Sequence, residues 1–269
     1  MIGGLVEKLV RGKTDEPAVV ERPVVEVKKV EKENKFVKKQ WTKQLGTSKD
    51  DRGFGVTTDS SGNIYVSGST SGELDGNTHF GDRDIFLVKY NSSGQKQWTK
   101  QLGTSYWDSG TRVTTDSSGN IYVTGLTSGG LDGNTSSGSL DIFLVKYNSS
   151  GSKQWTKQLG TSSYVDYGRG VTTDSSGNIY VTGDTLGGLD GNTNSGFEDI
   201  FIIKYNSSGS KQWTKQLGTS KDDRGFGVTT DSSGNIYVSG STSGELDGNT
   251  HFGDRDIFLV KFSSSGTKQ

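Results

Sequence analysis

The sequence predicts an all-β fold, and three observations carry that prediction. One passage, TKQLGTSKDDRGFGVTTDSSGNIYVSGSTSGELDGNTHFGDRDIFLVK, runs from Thr42 to Lys89 and returns without a substitution from Thr214 to Lys261. Close variants of it fill the intervening chain. Within each copy, runs of β-branched and aromatic residues alternate with Gly, Ser, Asn, Asp and Thr, the signature of short strands and tight turns.

Composition removes several alternatives. The 269 residues are 28% hydrophobic and include 40 glycines, while the two prolines both precede residue 24, a poor fit to collagen or to ordinary disorder. A net charge of −1 gives no global field to attract nucleic acid or an acidic membrane. With no cysteine there is no disulfide framework and no thiolate chemistry. No apolar run approaches the roughly 20 residues of a membrane span. Glu7 and Lys8 interrupt the apolar part of MIGGLVEKLVRGK, so no cleavable signal is predicted and a cytoplasmic location is favoured.

The elements follow in chain order. Ile2, Leu5, Val6, Leu9 and Val10 form one helical stripe, predicting a short amphipathic helix suited to a partner protein or a membrane surface. The charged, proline-marked stretch TDEPAVVERPVVEVKKVEKENK then reads as a linker, so residues 1–37 are set apart from 38–269. QWTKQLGTS begins at Gln40, Gln97, Gln154 and Gln212; DSSGNIYV at Asp59, Asp116, Asp174 and Asp231; and DIF at Asp84, Asp141, Asp199 and Asp256. The period is therefore 57, 57 and 58 residues, the extra one falling in SSYVDYGRG. GVTTD and NIYVSG flank SSG, and DIFLVKY and KQWTKQLG flank NSSGQ or NSSGS; both are hairpin signals in which glycine takes a positive φ. IFLV is continuously apolar, as in a strand covered on both faces. QWTKQLG alternates and carries the lysine and glutamines of a protected edge. Each copy is thus a four-stranded antiparallel meander.

DSSGNIYVTG followed by DIFLVKYNSSGSKQWTKQLGTS resembles the SBBP family of bacterial β-propeller repeats. The resemblance covers about residues 38–269 and implies propeller blades; it implies no activity, because the family shares a scaffold and no catalytic motif. The phase of the repeat predicts closure of a four-bladed ring: the chain opens on a solitary QWTKQLG, Gln40–Gly46, and its last copy stops at Gln269. The front strand is expected to pair with the strand beginning at Asp256 and complete the last blade, giving a monomeric ring unless the tail associates. Strand exchange between chains is the alternative.

In a propeller, alternate connections share a face. The DSSGN and NSSGS turns scarcely vary, whereas the opposite connections differ among copies, the usual arrangement of a binding surface on a rigid scaffold. The candidate ligand residues are Tyr106, Trp107, Asp108, Tyr164, Asp166, Tyr167, His79 and His251. Exposed aromatics there suit a glycan or protein ligand; neutral loop drift and the covering of blade ends are the competing readings. Trp41, Trp98, Trp155 and Trp213 recur at one position and are assigned to the core between blades. LDGNT, beginning at Leu74, Leu131, Leu189 and Leu246, has closely spaced oxygen donors but lacks the remaining calcium-loop pattern and its distal Glu. No metal or cofactor is expected. Asp50, Asp51, Asp82 and Asp84 offer a glycosidase-like carboxylate pairing, but there is no other catalytic signature. A non-enzymatic binding scaffold is the leading reading, followed by a self-assembling structural protein and then an enzyme.

Overall fold

The computed structural model describes residues 39–162 and 164–269. The helix expected at residues 2–10 and the linker after it lie outside the described residues. Residues 41–269 form one compact unit of fifteen strands in four antiparallel sheets. The first sheet contains β1 (Asp51–Thr58), β2 (Ile64–Thr70), β3 (Asp84–Tyr90) and β4 (Lys96–Leu102). The second contains β5 (Asp108–Thr115), β6 (Ile121–Thr127), β7 (Asp141–Tyr147) and β8 (Lys153–Leu159). The third contains β9 (Asp166–Thr173), β10 (Ile179–Thr185), β11 (Asp199–Tyr205) and β12 (Lys211–Leu217). The fourth has β13 (Asp223–Thr230), β14 (Ile236–Thr242) and β15 (Asp256–Phe262). Every sheet is ordered as its chain runs, the meander read from the repeat.

Local chemistry makes the turns. The carboxylate of Asp59 accepts hydrogen bonds from the amides of Ser61 and Asn63, the Asn63 side chain and the Tyr65 hydroxyl, while Gly62 takes φ 77°. Asp116, Asp174 and Asp231 repeat this set. LDGNT forms a 3-10 turn in which Asp75 adopts φ 55°, its carboxylate bound by Lys96 and Thr99. Leu74 beside it is buried, so the turn pins a loop to the outer strand.

The sheets pack face to face in sequence order. Tyr65, Ile85 and Leu87 on the downstream face of the first sheet meet Val113, Ile121, Val123, Phe143 and Val145 on the upstream face of the second. Equivalent clusters join the second sheet to the third and the third to the fourth. Each joint is fastened at its rim: Lys89, Lys146 and Lys204 donate to the carbonyls of Ser149, Ser207 and Ser264 in the next sheet. Nearer the axis, Thr115, Thr173 and Thr230 donate to the carbonyls of Thr58, Thr115 and Thr173. Trp98, Trp155 and Trp213 are only partly buried, at the edge of each cluster. Each ring lies against Gly151, Gly209 or Gly266 of the following sheet, about 3 Å from where a Cβ would stand.

One expectation is corrected. Residues 40–46 form no strand, and among the described residues β15 has no strand partner beyond β14 except the single bridge from Phe262 to Lys268. Trp41 instead rests against Gly94 of the first sheet and Leu45 packs on the cluster of Leu74, Phe86 and Val88. The segment makes on Gly94 the inter-sheet contact that Trp98 makes on Gly151, so it occupies the seat of a preceding sheet's outer strand. The pairing fails at the other partner: the fourth sheet does not reach this seat, and Ile257 and Leu259 of β15 stay exposed.

Inner and central strands cross with no room to spare at one recurring glycine. A Cβ on Gly125 would stand 1.9 Å from the Ser109 carbonyl oxygen and 2.9 Å from the Phe143 ring. Gly125→Ala should therefore cost about 1–3 kcal/mol, lowering Tm by roughly 2–4 °C per kcal/mol. Gly53, whose added Cβ would find only Val66 at 3.6 Å, is the control. Thermal unfolding that fails to separate Gly125→Ala from Gly53→Ala would contradict this packing.

Candidate functional site

The inner strands adjoin in the order β1, β5, β9 and β13, and a pocket of about 300 Å³ opens with lining residues from all four. Phe54, Trp107, Ser109, Thr111, Arg112, Leu126, Arg169 and Phe226 line it. The repeat explains why these residues meet. Phe54, Thr111, Arg169 and Phe226 are one position in the four copies, while Arg112 stands where the other copies have Gly55, Gly170 and Gly227. Trp107 likewise corresponds to Asp50, Val165 and Asp222.

The two arginines are held differently. Arg112 donates to the carbonyls of Phe54 (3.2 Å) and Thr111 (2.9 Å), and has no ion pair among the described residues. Arg169 makes a two-pronged pair with Asp184 and stacks its guanidinium 4.6 Å from the Tyr167 ring centre and 5.6 Å from that of Phe226. Asp184 is buried and stands where other copies have Ser69, Leu126 and Ser241. Burial pushes its carboxyl up to about 6, although the Arg169 pair pulls in the opposite direction. Arg224 is bound by Glu198 on the adjoining loop.

Of the residues selected from sequence, Trp107 lines this pocket and Tyr167 stacks on one of its arginines. Tyr106 and Tyr164 are exposed on the same set of connections but are not among the pocket's lining residues. Asp108 and Asp166 are fully buried and lie away from any ligand-accessible surface. Each begins an inner strand and clamps the connection before it: Asp108 accepts from the Thr104 amide (2.5 Å), the Thr104 hydroxyl (2.8 Å) and Thr127. Asp166 does the same with Thr161 and Thr185. Burial raises both carboxyls above the usual range, partly offset by these hydrogen bonds. His79 belongs to a separate groove with Thr47 and Glu73, its Nδ1 3.2 Å from Asp84; His251 lies 2.9 Å from Asp256. Three of the four carboxylates considered for catalysis are committed as well, and Asp82 is exposed. Asp50 pairs with Arg52 and Arg83, Asp51 holds Thr47 and Thr70, and Asp84 accepts from Gln101 and the Phe80 amide.

Phe54, Arg112, Arg169, Asp184 and Phe226 were not selected from sequence. Their signal was present, since each differs between otherwise matching repeats, but they sit in strand letters rather than in the connections.

Four-stranded meanders stacked around shared inner strands are the blades of a β-propeller repeat protein. The chain belongs to the SBBP family of β-propeller repeats, whose model matches residues 40–75, 97–132, 154–190 and 212–247. It is similar to an uncharacterized WD repeat-containing protein of Acanthamoeba polyphaga mimivirus, 26% identical over 228 residues, covering 66% of this chain and 16% of that protein. It is also similar to the regulatory protein FlaEY of Caulobacter vibrioides, 27% identical over 187 residues, covering 62% of this chain and 20% of that protein. The chain thus spans a fifth or less of the length of these relatives. Among solved structures, it resembles a gluconolactonase from Xanthomonas campestris, at 14% identity and TM-score 0.43, over 80% of this chain and 60% of that one. A xylan β-1,4-xylosidase from Bacillus halodurans matches at 14% identity and TM-score 0.43, over 86% and 45%.

The raised carboxyl gives a pH test with a definite sign. Unfolded aspartates titrate near ~3.9, so the folded protein binds the Asp184 proton more tightly than the unfolded chain does. That contribution is complete below about pH 4 and is lost as pH rises through about 6. Relative to Asp184→Asn, the natural protein should lose roughly 2–3 kcal/mol between pH 4 and 6.5. Urea midpoints at the two pH values measure the difference, and parallel behaviour of the two proteins would contradict it.

Proposed function

We propose that this protein is a non-enzymatic binding scaffold whose ligand occupies the pocket between the four inner strands. The observation that carries the reading is the convergence there of one-copy residues in a chain whose repeats are otherwise nearly the same. Arg112 replaces the glycine of the other three copies, Trp107 and Arg169 each occur in one copy only, and all three line one pocket of about 300 Å³. The names of two relatives, a WD repeat-containing protein and a regulatory protein, fit such a role.

The ligand class follows from the lining. Trp107, Phe54 and Phe226 offer apolar ring faces, and Arg112 adds a positive charge oriented by two backbone carbonyls. Asp184 neutralises Arg169, which makes that residue a braced wall rather than a second charge. A ligand combining a flat apolar face with a carboxylate matches this surface.

Calorimetric titration with acidic and neutral oligosaccharides and with acidic peptides tests the proposal. An acidic ligand should bind, and Arg112→Gly, which installs the residue of the other three copies, should weaken it at least about tenfold, as expected for a charged hydrogen bond. Trp107→Ala should cost about 2 kcal/mol. Binding that survives both substitutions, or that prefers neutral ligands, would overturn the assignment.

A further inference from the structure

The first and fourth sheets carry the same residues on their shared strands, so a difference in exposure between them reports what their neighbours cover. Ile85 and Leu87 are 2% and 1% exposed beneath the second sheet. Their counterparts Ile257 and Leu259, in the identical strand DIFLVK, are 94% and 72% exposed. On the opposite face the relation reverses. Ile236 and Val238 are fully buried against the third sheet, whereas Ile64 and Val66 are half-buried and Val56 is 71% exposed. Val56, Ile64, Val66, Phe86 and Val88 line a groove of about 410 Å³ on the first sheet. The chain therefore completes three joints and carries both halves of a fourth, apart from each other.

We propose that the fourth joint forms between two copies of this chain, the downstream face of one fourth sheet docking on the upstream face of the next copy's first sheet. The occupant is specified by continuity with the joints already made. Ile257 and Leu259 stand on the residues whose equivalents, Ile85 and Leu87, fill the second sheet's upstream face. Lys261 is the equivalent of Lys89, Lys146 and Lys204, each of which donates to a serine carbonyl of the following sheet. Ser92 holds that serine position in the first sheet. Residues 41–45 already rest on the first sheet as an outer strand would, with Trp41 against Gly94 as Trp98 is against Gly151. Docking sets this segment beside β15 of the neighbouring copy and gives its three-stranded sheet a fourth member. In the first sheet Leu87 pairs with Lys100; the same register places Leu259 opposite the next copy's Lys43. Such a joint is head to tail, so it closes into a ring or continues as a chain according to its rotation.

The full chain is the material for the test. Analytical ultracentrifugation should find a mass above that of one chain, and joint replacement of Ile257 and Leu259 by aspartate should return it to one chain. Both residues are exposed within a single chain, so the released monomer should keep its fold, seen as an unchanged circular-dichroism spectrum. Because the sequence has no cysteine, Lys43→Cys with Leu259→Cys supplies a unique thiol pair, and mild oxidation should link chain to chain. A chain that is monomeric at tens of micromolar overturns the proposal. So does an oligomer insensitive to the two aspartates, which would place association elsewhere, or a disulfide closed within one chain, which would mean the chain seals its own ring.

Discussion

A four-stranded sheet that is apolar on both faces needs a neighbour on each side, and the rest of this structure depends on that requirement. The central strands of each copy place a run of Ile, Phe, Leu and Val, or Ile, Phe, Ile and Ile in the third copy, on alternating faces, so one sheet can cover only half of its neighbour's apolar area. The solution is a single joint used repeatedly. Aliphatic side chains fill its middle, threonine hydroxyls fasten the inner edge, and a lysine and a tryptophan meet the next sheet's NSSG turn (SSSG in the fourth sheet) at the rim. The turn glycine serves two purposes, since its φ near 80° shapes the hairpin and its missing Cβ leaves space for the indole.

This repetition made most of the fold legible in the letters. Apolar runs between DSSGN and NSSGS gave the strands, their order and the outer position of KQWTKQL. The fate of Gln40–Gly46 was not legible, because the angle between successive sheets decides whether two ends meet, and no single residue encodes that angle. The site was only partly legible for a different reason. Asp108 and Asp166 looked like loop carboxylates, yet all four copies carry aspartate there (Asp51, Asp108, Asp166 and Asp223). A residue that never varies among repeats whose loops do vary is serving the repeat itself, here as the clamp on a connecting loop. Arg112 and Arg169 show the converse, as changes inside strands that otherwise repeat.

The division of labour between the two ends of the blades has a chemical basis. At the constant end, each aspartate turn saturates its own carboxylate with local donors, leaving little for a ligand to engage. At the variable end, Arg112 is braced by backbone carbonyls alone, and its charge faces no acidic partner among the described residues. Hydrogen-bonding and charge are thus left unmatched at the pocket proposed to bind, and not at the constant turns.

The half-covered faces of the terminal sheets also bear on how the molecule opens. In a stack where each layer touches only its neighbours, stability sums over joints. Within one isolated chain, the second and third sheets each sit between two joints, while the first and fourth have one apiece. Fluctuations that expose backbone amides to solvent should therefore start at the terminal sheets and travel inward, giving a gradient of hydrogen exchange along the stack. The pocket draws on all four inner strands, so its walls come from both the slowest and the fastest exchanging layers. A ligand that bridges Phe54 and Phe226 would tie the two loosest layers to the firm middle, and its affinity would be read as a levelling of that gradient.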